Sequence, residues 1–382
     1  MFELTRSQKE IQKAARDFAK GEFDKDLAIE LEKENRFPEE IWKRAAELGF
    51  IGIHFPENLS GGGLGLVENC LVTEEFCRKD STTGLALTLA SCGSECLVNF
   101  AADELNEKYI PRVAEGEFLS AGAFSDPGTG AAMPVTDTLA DFDGTDFILN
   151  GEKSCVINGE SAGFYIVLCR TELDTKPEKS LSLLLVDALS EGLAAESLGK
   201  TLGMGMNSLA AVCFKDVRIP ESHLIGKRGQ GLALYAKYLN LKRITASAQS
   251  LGIATGAFDR ALAYVKQREQ FGRKIAVFEV TQHKLADMAT KIELARLITY
   301  RAAAAYDSGS KDTALPAMAR VTTSRTAFEV ADEAVQLFGG YGYMTESEVE
   351  RFYRDAKAVE LGGVGGFQRK KVIAAAIIGR VK

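Results

Sequence analysis

The stretch TDTLADFDGTDFILNGEKSCVING (136–159) separates two long helical regions and decides the fold class. Its DG and NG dipeptides are typical of tight hairpin turns, and β-branched and aromatic residues lie on either side of them. The apolar runs FYIVLCR (164–170), LSLLLVD (181–187) and AAVCFKDVRI (210–219) continue this pattern. We therefore predict a middle β domain over residues 119–228, built as a barrel or a sandwich of short strands.

Helical periodicity flanks this β region on both sides. Between Thr5 and Lys20, apolar residues recur at three- and four-residue spacing, and Thr5 is a suitable N-cap. The almost wholly apolar segment 84–100 predicts one central, buried helix. Long helical patterns that end in glycine predict a four-helix bundle in the last part of the chain. We expect an α+β protein with a helical domain over 1–118 and a helical bundle over 229–382.

The composition argues against several classes of function. The 382 residues include 53 acidic and 46 basic ones, so the net charge of −7 disfavours binding to nucleic acid through its phosphates. The seven cysteines form no CxxC pair and only three histidines occur, so neither a disulfide framework nor a zinc site is expected. The sequence has no run of 18 apolar residues and starts with a charged, helical segment. We therefore expect no membrane span and a cytoplasmic location.

Several motifs, taken in their order along the chain, resemble those of the FAD-dependent acyl-CoA dehydrogenase family. They are FSDPGTG (124–130), LNGEKSCVING (149–159), FKDVRIP (214–220), REQFGRKI (268–275) with FEVTQHKLADM (278–288), QLFGGYGY (336–343) and ERFYRDAK (350–357). The resemblance covers nearly the full length and implies a helical domain, a β domain and a four-helix bundle. No GxGxxG follows a predicted strand, so FAD is not expected in a Rossmann crevice. The resemblance places it between the β domain and the bundle, partly held by a neighbouring subunit.

The resemblance implies contacts with FAD for a defined set of residues. Arg268 is similar to the family arginine that reaches the diphosphate of a neighbouring subunit's FAD, a task that suits a guanidinium group. Phe124 and Ser125 would lie beside the isoalloxazine ring, and the Ser125 hydroxyl would donate to its edge. The expected cofactor set is Phe124, Ser125, Gly130, Cys155, Ile157, Arg268, Gln270, Phe271, Gln336, Gly339 and Gly340.

Some positions depart from the family pattern. The usual Trp-Ile-Thr is Cys155, Val156 and Ile157 here, and the usual Gly-Ser-Asp is the segment 130–132, Gly-Ala-Ala. Glu279 stands where the family has a glutamine near the diphosphate. These changes weaken single contacts and point to an unusual substrate pocket rather than to the loss of FAD.

The largest departure concerns the catalytic base. The family glutamate that removes the proton next to the thioester carbonyl would stand at Gly363, and the site that some relatives use instead is Lys242. The Gly363 backbone N–H is still expected to bind the thioester oxygen and stabilise an enolate. Asn240 and Arg243 resemble the segment that meets the CoA thioester, where Arg243 would pair with a carboxylate or with CoA. Glu360 is the nearest acid in the sequence, but a surface charge is the simpler interpretation of it.

Glu95 is the candidate for a relocated base. It lies within the apolar segment 84–100, with Ser91 one turn earlier as a candidate substrate contact. A desolvated carboxylate would have a raised pKa and could act as a base. The alternative is a structural acid that is paired with a basic neighbour.

We therefore expect an FAD-dependent oxidoreductase that acts on a CoA thioester. The absent glutamate and the glycine-rich segment 362–366 indicate the branch of the family that acts on alicyclic thioesters of the cyclohexenecarboxyl type. The alternatives are an ordinary short-chain acyl-CoA dehydrogenase with an unrecognised base and a catalytically silent flavoprotein subunit. An electron-transfer flavoprotein is the expected electron acceptor, and a homotetramer the expected assembly.

Overall fold

The computed structural model describes residues 3–128, 136–172, 175–176, 179–363 and 366–379. Helices precede and follow one block of strands, as the sequence predicts. The helices are α1 (Arg6–Glu22), α2 (Lys25–Glu34), α3 (Glu39–Glu47), α4 (Leu66–Lys79), α5 (Ser81–Thr88), α6 (Ser94–Phe100), α7 (Asp103–Ala114), α8 (Gly231–Gln267), α9 (Glu279–Asp307), α10 (Ala314–Phe338), α11 (Val349–Leu361) and α12 (Gly366–Ile378). In the described part of the chain, no helix is long and apolar enough to cross a membrane.

The N-terminal helices confirm one sequence prediction and correct another. Thr5 caps α1 through a reciprocal pair of hydrogen bonds with Gln8, as its position before the apolar pattern indicates. The prediction of a single helix over 84–100 is wrong, because α5 and α6 are separate. Gly93 has a φ of +97° between them, and a Cβ on it would lie 3.3 Å from the Gly122 backbone. Glycine is therefore required where this turn approaches the first strand.

The middle region forms one continuous sheet. Its strands are β1 (Leu119–Ala123), β2 (Leu139–Phe142), β3 (Asp146–Ile157), β4 (Ala162–Arg170), β5 (Leu181–Asp187), β6 (Leu193–Ser197), β7 (Leu209–Pro220) and β8 (Leu224–Ile225). They pair in the order β6–β7–β3–β2–β4–β5–β8, and β1 pairs in parallel with β4. A short hairpin of β9 (Glu269–Gln270) and β10 (Arg273–Lys274) follows α8.

The long helix α8 is the centre of the C-terminal bundle. It packs against α9, α10 and α11, and also against α4 of the N-terminal region. Two glycines allow α4 to approach closely, because a Cβ at Gly252 would lie 2.5 Å from the Glu74 carbonyl oxygen and one at Gly256 only 2.3 Å from that of Arg78. This contact fixes α8 relative to the N-terminal helices.

One buried carboxylate ties the three regions together. Asp355 of α11 accepts hydrogen bonds from the hydroxyls of Ser81 and Thr82 at 2.6 and 2.7 Å, and from the backbone N–H of Met204 at 2.7 Å. Burial raises its pKa, while these three donors act in the opposite direction. The cavity described next lies at this junction.

Candidate active site

A cavity of about 250 Å³ lies where α5, α8, α11 and the sheet region meet. Leu85 and Leu89 form an apolar wall from the N-terminal helices, and Tyr235 and Tyr238 of α8 face it. The ring of Phe124 packs against both tyrosines, with centroid distances of 4.5 and 5.4 Å. The interior is therefore largely apolar and aromatic, which suits an acyl group and a flat ring.

Four of the residues predicted to contact FAD line this cavity together. They are Phe124, Ser125, Cys155 and Ile157. The backbone N–H of Ser154 donates to the Ser125 carbonyl at 2.8 Å, which joins the two segments that carry them. Their contact with FAD stays a prediction, but the structure brings them to one wall.

A buried ion pair that the sequence analysis missed holds this wall. The Lys153 ammonium, fully buried, contacts Asp126, which also accepts a hydrogen bond from the Thr136 hydroxyl at 2.7 Å. Burial alone would raise the pKa of Asp126, but the charge of Lys153 and the hydrogen bonds that the carboxylate accepts together hold that pKa below its usual value. The pair fixes Ser125 and Ser154, the neighbours of its two members.

Two glycines form part of the cavity wall, at the position where the resemblance puts the missing glutamate. Gly362 and Gly363 both line the cavity, and a Cβ on Gly363 would meet no atom within 4 Å. Gly363 has a φ of +73°, a conformation that favours glycine. The cavity-lining residues that the structure describes include no aspartate or glutamate.

The structure corrects the environment expected for Glu95. Its side chain is buried, but Lys242 lines the cavity and Glu95 does not. Burial alone would raise the pKa of the Glu95 carboxyl, but the charge of Lys242 and the imidazole of His54 hold that pKa below its usual value. The prediction of a raised pKa is therefore wrong, because the sequence gives no sign that Lys242 would be its partner. Nε2 of His54 lies 3.8 Å from Glu95 Oε1, and His54 was not a candidate in the sequence analysis.

Ser91 and Asn240 do not line the cavity. Ser91 lies between α5 and α6 and bridges to Ser120 of β1, so it is not one helical turn from Glu95. Asn240 accepts a hydrogen bond from Arg243 at 2.8 Å and positions that guanidinium, which does line the cavity. Asn240 thus acts on the site through Arg243.

Two further arginines line the cavity, and no sequence signal pointed to them. Arg320 of α10 and Arg369 of α12 are each only 3% exposed. Arg320 donates to Ser250 Oγ at 3.0 Å and to the Val359 carbonyl, and Arg369 donates to the Gly362 carbonyl at 2.8 Å. Arg320 and Arg369 are far apart in the sequence, and only the folding of the bundle brings them to the same cavity.

A second cavity of about 410 Å³ lies against the bundle and collects most of the residues predicted to contact the adenosine and diphosphate part of FAD. Its lining includes Arg268, Gln270, Gln336, Gly339 and Gly340. A Cβ on either glycine would meet no atom within 4 Å, so this wall is open to a ligand.

One predicted cofactor contact does not line either cavity, and another lies outside the described residues. Phe271 is 92% exposed and lines neither of them. Gly130 falls outside the described residues. The polar donors and open glycines of the second cavity, with the aromatic wall of the first, fit the two ends of FAD.

The fold and the two cavities define a flavin-dependent oxidoreductase. The chain belongs to the acyl-CoA dehydrogenase family: the N-terminal, middle and C-terminal domain models of acyl-CoA dehydrogenase match residues 5–117, 121–217 and 229–377. FAD is its cofactor, as it is for the family, and its reaction is on the CH–CH group of acyl-CoA thioesters.

Its relatives are similar along the whole chain. It is 34% identical to acryloyl-CoA reductase (NADH) of Anaerotignum propionicum over 99% of this chain and 96% of that protein. Butyryl-CoA dehydrogenase of Megasphaera elsdenii has the same fold with a TM-score of 0.94, at 29% identity over 99% of this chain and all of that one. A chain solved in work on the electron transferring flavoprotein of Acidaminococcus fermentans matches with a TM-score of 0.95, at 33% identity over 100% of both chains.

Proposed function

We propose that this protein dehydrogenates a CoA thioester with a cyclic acyl group of the cyclohexane- or cyclohexenecarboxyl type. The observation that carries the proposal is the open wall at Gly362 and Gly363, where, among the described residues, no atom lies within 4 Å of a Cβ built on Gly363. A glutamate in this wall would occupy that space in an ordinary acyl-CoA dehydrogenase, as the sequence motif implies. A ring, which is wider than a straight chain, can use it.

The residues of the chain fit the steps of such a reaction. Bound FAD supplies the acceptor for the hydride that leaves the substrate. The backbone N–H of Gly363 is placed to bind the thioester oxygen and stabilise the enolate, as a preorganised donor does. The Arg243 guanidinium adds positive charge at the same wall. The apolar residues Leu85 and Leu89 exclude water from the acyl group.

The usual base position is Gly363, which has no carboxylate, so the proton removed from the substrate must go to another residue. Lys242 lines the cavity, and the Glu95 charge raises its pKa although burial alone would lower it. Its ammonium group cannot accept a proton, whereas the ionised Glu95 can. Glu95 Oε2 has no hydrogen-bond partner among the described residues. We therefore assign proton transfer to the Glu95–Lys242 pair: the Lys242 ammonium gives a proton to Glu95, and the amine so formed takes the proton of the substrate.

A second candidate substrate class is a short straight-chain thioester. The names of two relatives, acryloyl-CoA reductase and butyryl-CoA dehydrogenase, favour it. It requires a base that the cavity-lining residues in the described ranges do not provide as a carboxylate. Both substrate classes need a base, so the open space beside Gly363 is what makes the cyclic substrate the better supported of the two.

We also propose an electron-transfer flavoprotein as redox partner and a homotetramer as the assembly. The similarity to the A. fermentans chain supports the partner. The open second cavity and the exposed Leu294 and Leu297 of α9, which are 59% and 48% exposed, support association of subunits.

A panel of CoA thioesters tests the proposed function. The purified, FAD-loaded protein is mixed anaerobically with cyclohexanecarboxyl-CoA, cyclohexenecarboxyl-CoA, butyryl-CoA or octanoyl-CoA, and bleaching of the flavin absorbance is followed. We expect fast bleaching with a cyclic thioester and slow bleaching with the straight chains. Fast bleaching by butyryl-CoA alone would favour the short-chain alternative, and no bleaching by any thioester would indicate a silent flavoprotein.

A further inference from the structure

Three guanidinium groups line one small cavity, two of them on almost completely buried arginines and one on a half-buried arginine. Arg243 of α8, Arg320 of α10 and Arg369 of α12 all line it. Arg320 donates to one hydroxyl and one carbonyl, whereas Arg243 and Arg369 each donate one hydrogen bond to an amide or backbone oxygen. All of these partners are neutral, although a guanidinium with its five N–H donors can also bind an anion.

The charge of these arginines is not balanced by acidic side chains at the cavity. The negative charge of Glu95 is balanced by the positive charge of Lys242, so it does not neutralise the arginines. Glu360 lies near Arg320 and Arg369, but its carboxylate is already bound to the Lys357 ammonium at 2.5 Å. None of the described cavity-lining residues is an aspartate or a glutamate. The cavity therefore carries an excess of buried positive charge.

The pKa values of two of these arginines are lowered both by burial and by the charge of a neighbouring arginine. Burial and the nearby charge of Arg369 lower the pKa of Arg320 to about 9. Burial and the charge of Arg243 lower the pKa of Arg369 in the same way. Buried charges of one sign destabilise a protein unless an opposite charge joins them. A ligand that brings a negative charge would relieve this repulsion.

We propose that the acyl group of the substrate carries a second anionic group, a carboxylate, which binds to Arg243, Arg320 and Arg369. The CoA thioester of a dicarboxylic acid, with a ring or a chain between its carboxyl groups, is the substrate class that fits. Planar guanidinium groups bind carboxylates through paired, charge-assisted hydrogen bonds. The inference rests on the proposed function, because it assumes that this cavity receives the acyl group.

The phosphates of the ligands are a competing source of negative charge. The arginine predicted to serve the FAD diphosphate, Arg268, lines the second cavity and not this one. Arg320 and Arg369 are almost completely buried, whereas the phosphates of CoA are large, strongly hydrated groups. A carboxylate on the acyl chain is small enough to reach them inside a cavity of about 250 Å³.

The test compares two CoA thioethers that differ in one carboxylate. S-hexyl-CoA and S-carboxypentyl-CoA have no thioester carbonyl and cannot be oxidised, so calorimetry with the FAD-loaded protein measures binding alone. We expect the carboxylated thioether to bind at least about ten-fold more tightly, since hydrogen bonds between charged groups contribute about 1.5–3 kcal/mol. Equal affinities in the wild-type protein would overturn the proposal.

Variants then separate the acyl carboxylate from the CoA phosphates. Arg369→Gln should remove most of the preference and change the affinity for S-hexyl-CoA by less than about three-fold, and Arg243→Gln should weaken binding of the carboxylated thioether more than binding of S-hexyl-CoA. Arg218→Gln, which removes an exposed arginine of β7, should keep the preference. An equal loss for both thioethers in Arg243→Gln would assign the arginine to CoA and overturn the proposal. If neither cavity variant folds, as judged by melting and FAD content, the wild-type preference and its weakening by salt decide the question.

Failure of this inference can be distinguished from failure of the proposed function. Absence of flavin bleaching with every CoA thioester would sink the dehydrogenase reaction with these substrates, while the thioether preference would still stand or fall by itself. A dicarboxylic thioester that both binds tightly and bleaches the flavin would support both proposals.

Discussion

The Lys242 ammonium of α8 and the buried Glu95 carboxylate of α6 attract each other through their opposite charges. For each group, the other provides the largest favourable electrostatic interaction. The pair lowers the pKa of Glu95 and raises that of Lys242, although burial acts against both shifts. Both groups are therefore ionised at neutral pH. The wall of the acyl cavity thus presents a cation where the family motif has, in some members, an acid.

Replacement of Glu95 tests the proposed proton route. Glu95→Gln keeps the size of the side chain but cannot accept a proton, so flavin reduction by the best thioester should slow by about 10²–10⁴-fold. Stopped-flow absorbance at saturating substrate measures this rate, and melting temperature and FAD content are the controls. A well-folded, FAD-loaded variant that reduces its flavin at the normal rate would contradict the assignment.

The stability of the same variant should respond to pH in a defined direction. The folded-state pKa of Glu95 lies below its usual value, so its stabilising contribution is present above the ordinary pKa of a glutamate. That contribution is lost as the pH falls through the folded pKa. The wild-type protein should therefore be more stable than Glu95→Gln near pH 7, and the difference should shrink on acidification. Thermal melts over a pH series measure it, and a constant difference would show that the carboxylate is not ionised in the folded state.

Exchange of the pair tests which position needs the acid. In the double variant Glu95→Lys with Lys242→Glu, the buried charges remain opposite but the carboxylate moves to the cavity wall. We expect faster flavin reduction by butyryl-CoA than in the wild-type protein, because a base then faces the α-carbon. Lys242→Glu alone is the matched control, and the two adjacent acids should lower its melting temperature. No gain in the folded double variant would mean that position 242 does not reach the α-proton.

The open glycine wall leads to a related prediction. Gly363→Glu places a carboxylate in open space, although its φ of +73° makes a side chain there unfavourable by about 1–2 kcal/mol. We expect slower reduction by cyclic thioesters and faster reduction by butyryl-CoA. Gly363→Gln is the control of equal size, and it should lose the cyclic substrates without gaining the straight chain. A similar gain in both variants would assign the effect to shape and not to a base.

The features that neighbouring residues determine could be predicted from the sequence, whereas those that depend on contacts between distant segments could not. The Thr5 cap and the helical character of residues 229–382 follow from neighbouring residues, so both could be predicted from the sequence. The break at Gly93 depends on its contact with the first strand, and the partner of Glu95 comes from a helix that is far away in sequence. Such contacts between distant segments leave no periodic signal. Arg320 and Arg369 were missed for the same reason.

The second cavity predicts a link between FAD retention and assembly. Arg268 lies on its wall and stacks near Tyr341, 5.6 Å from the ring centroid. If it binds the FAD of a neighbouring subunit, Arg268→Ala should lower the FAD content of the purified protein. Absorbance and light scattering on the same sample measure cofactor and mass together, with Arg218→Ala as the control. A monomer with full FAD content would contradict the shared site.

The buried pair of Asp126 and Lys153 should be essential for the wall that carries Ser125. Asp126→Asn leaves the fully buried Lys153 without a counter-charge, and loss of one member of a buried pair costs about 3–5 kcal/mol. Because the pKa of Asp126 is lowered in the folded protein, the loss should be largest near neutral pH and should fade below about pH 4. Asp143→Asn breaks an exposed pair with Arg218 and should hardly change the melting temperature. Chemical denaturation at several pH values measures the difference, and FAD content shows whether the wall keeps its shape. Equal stability of Asp126→Asn and Asp143→Asn at pH 7 would mean that Lys153 reaches water or loses its proton at little cost.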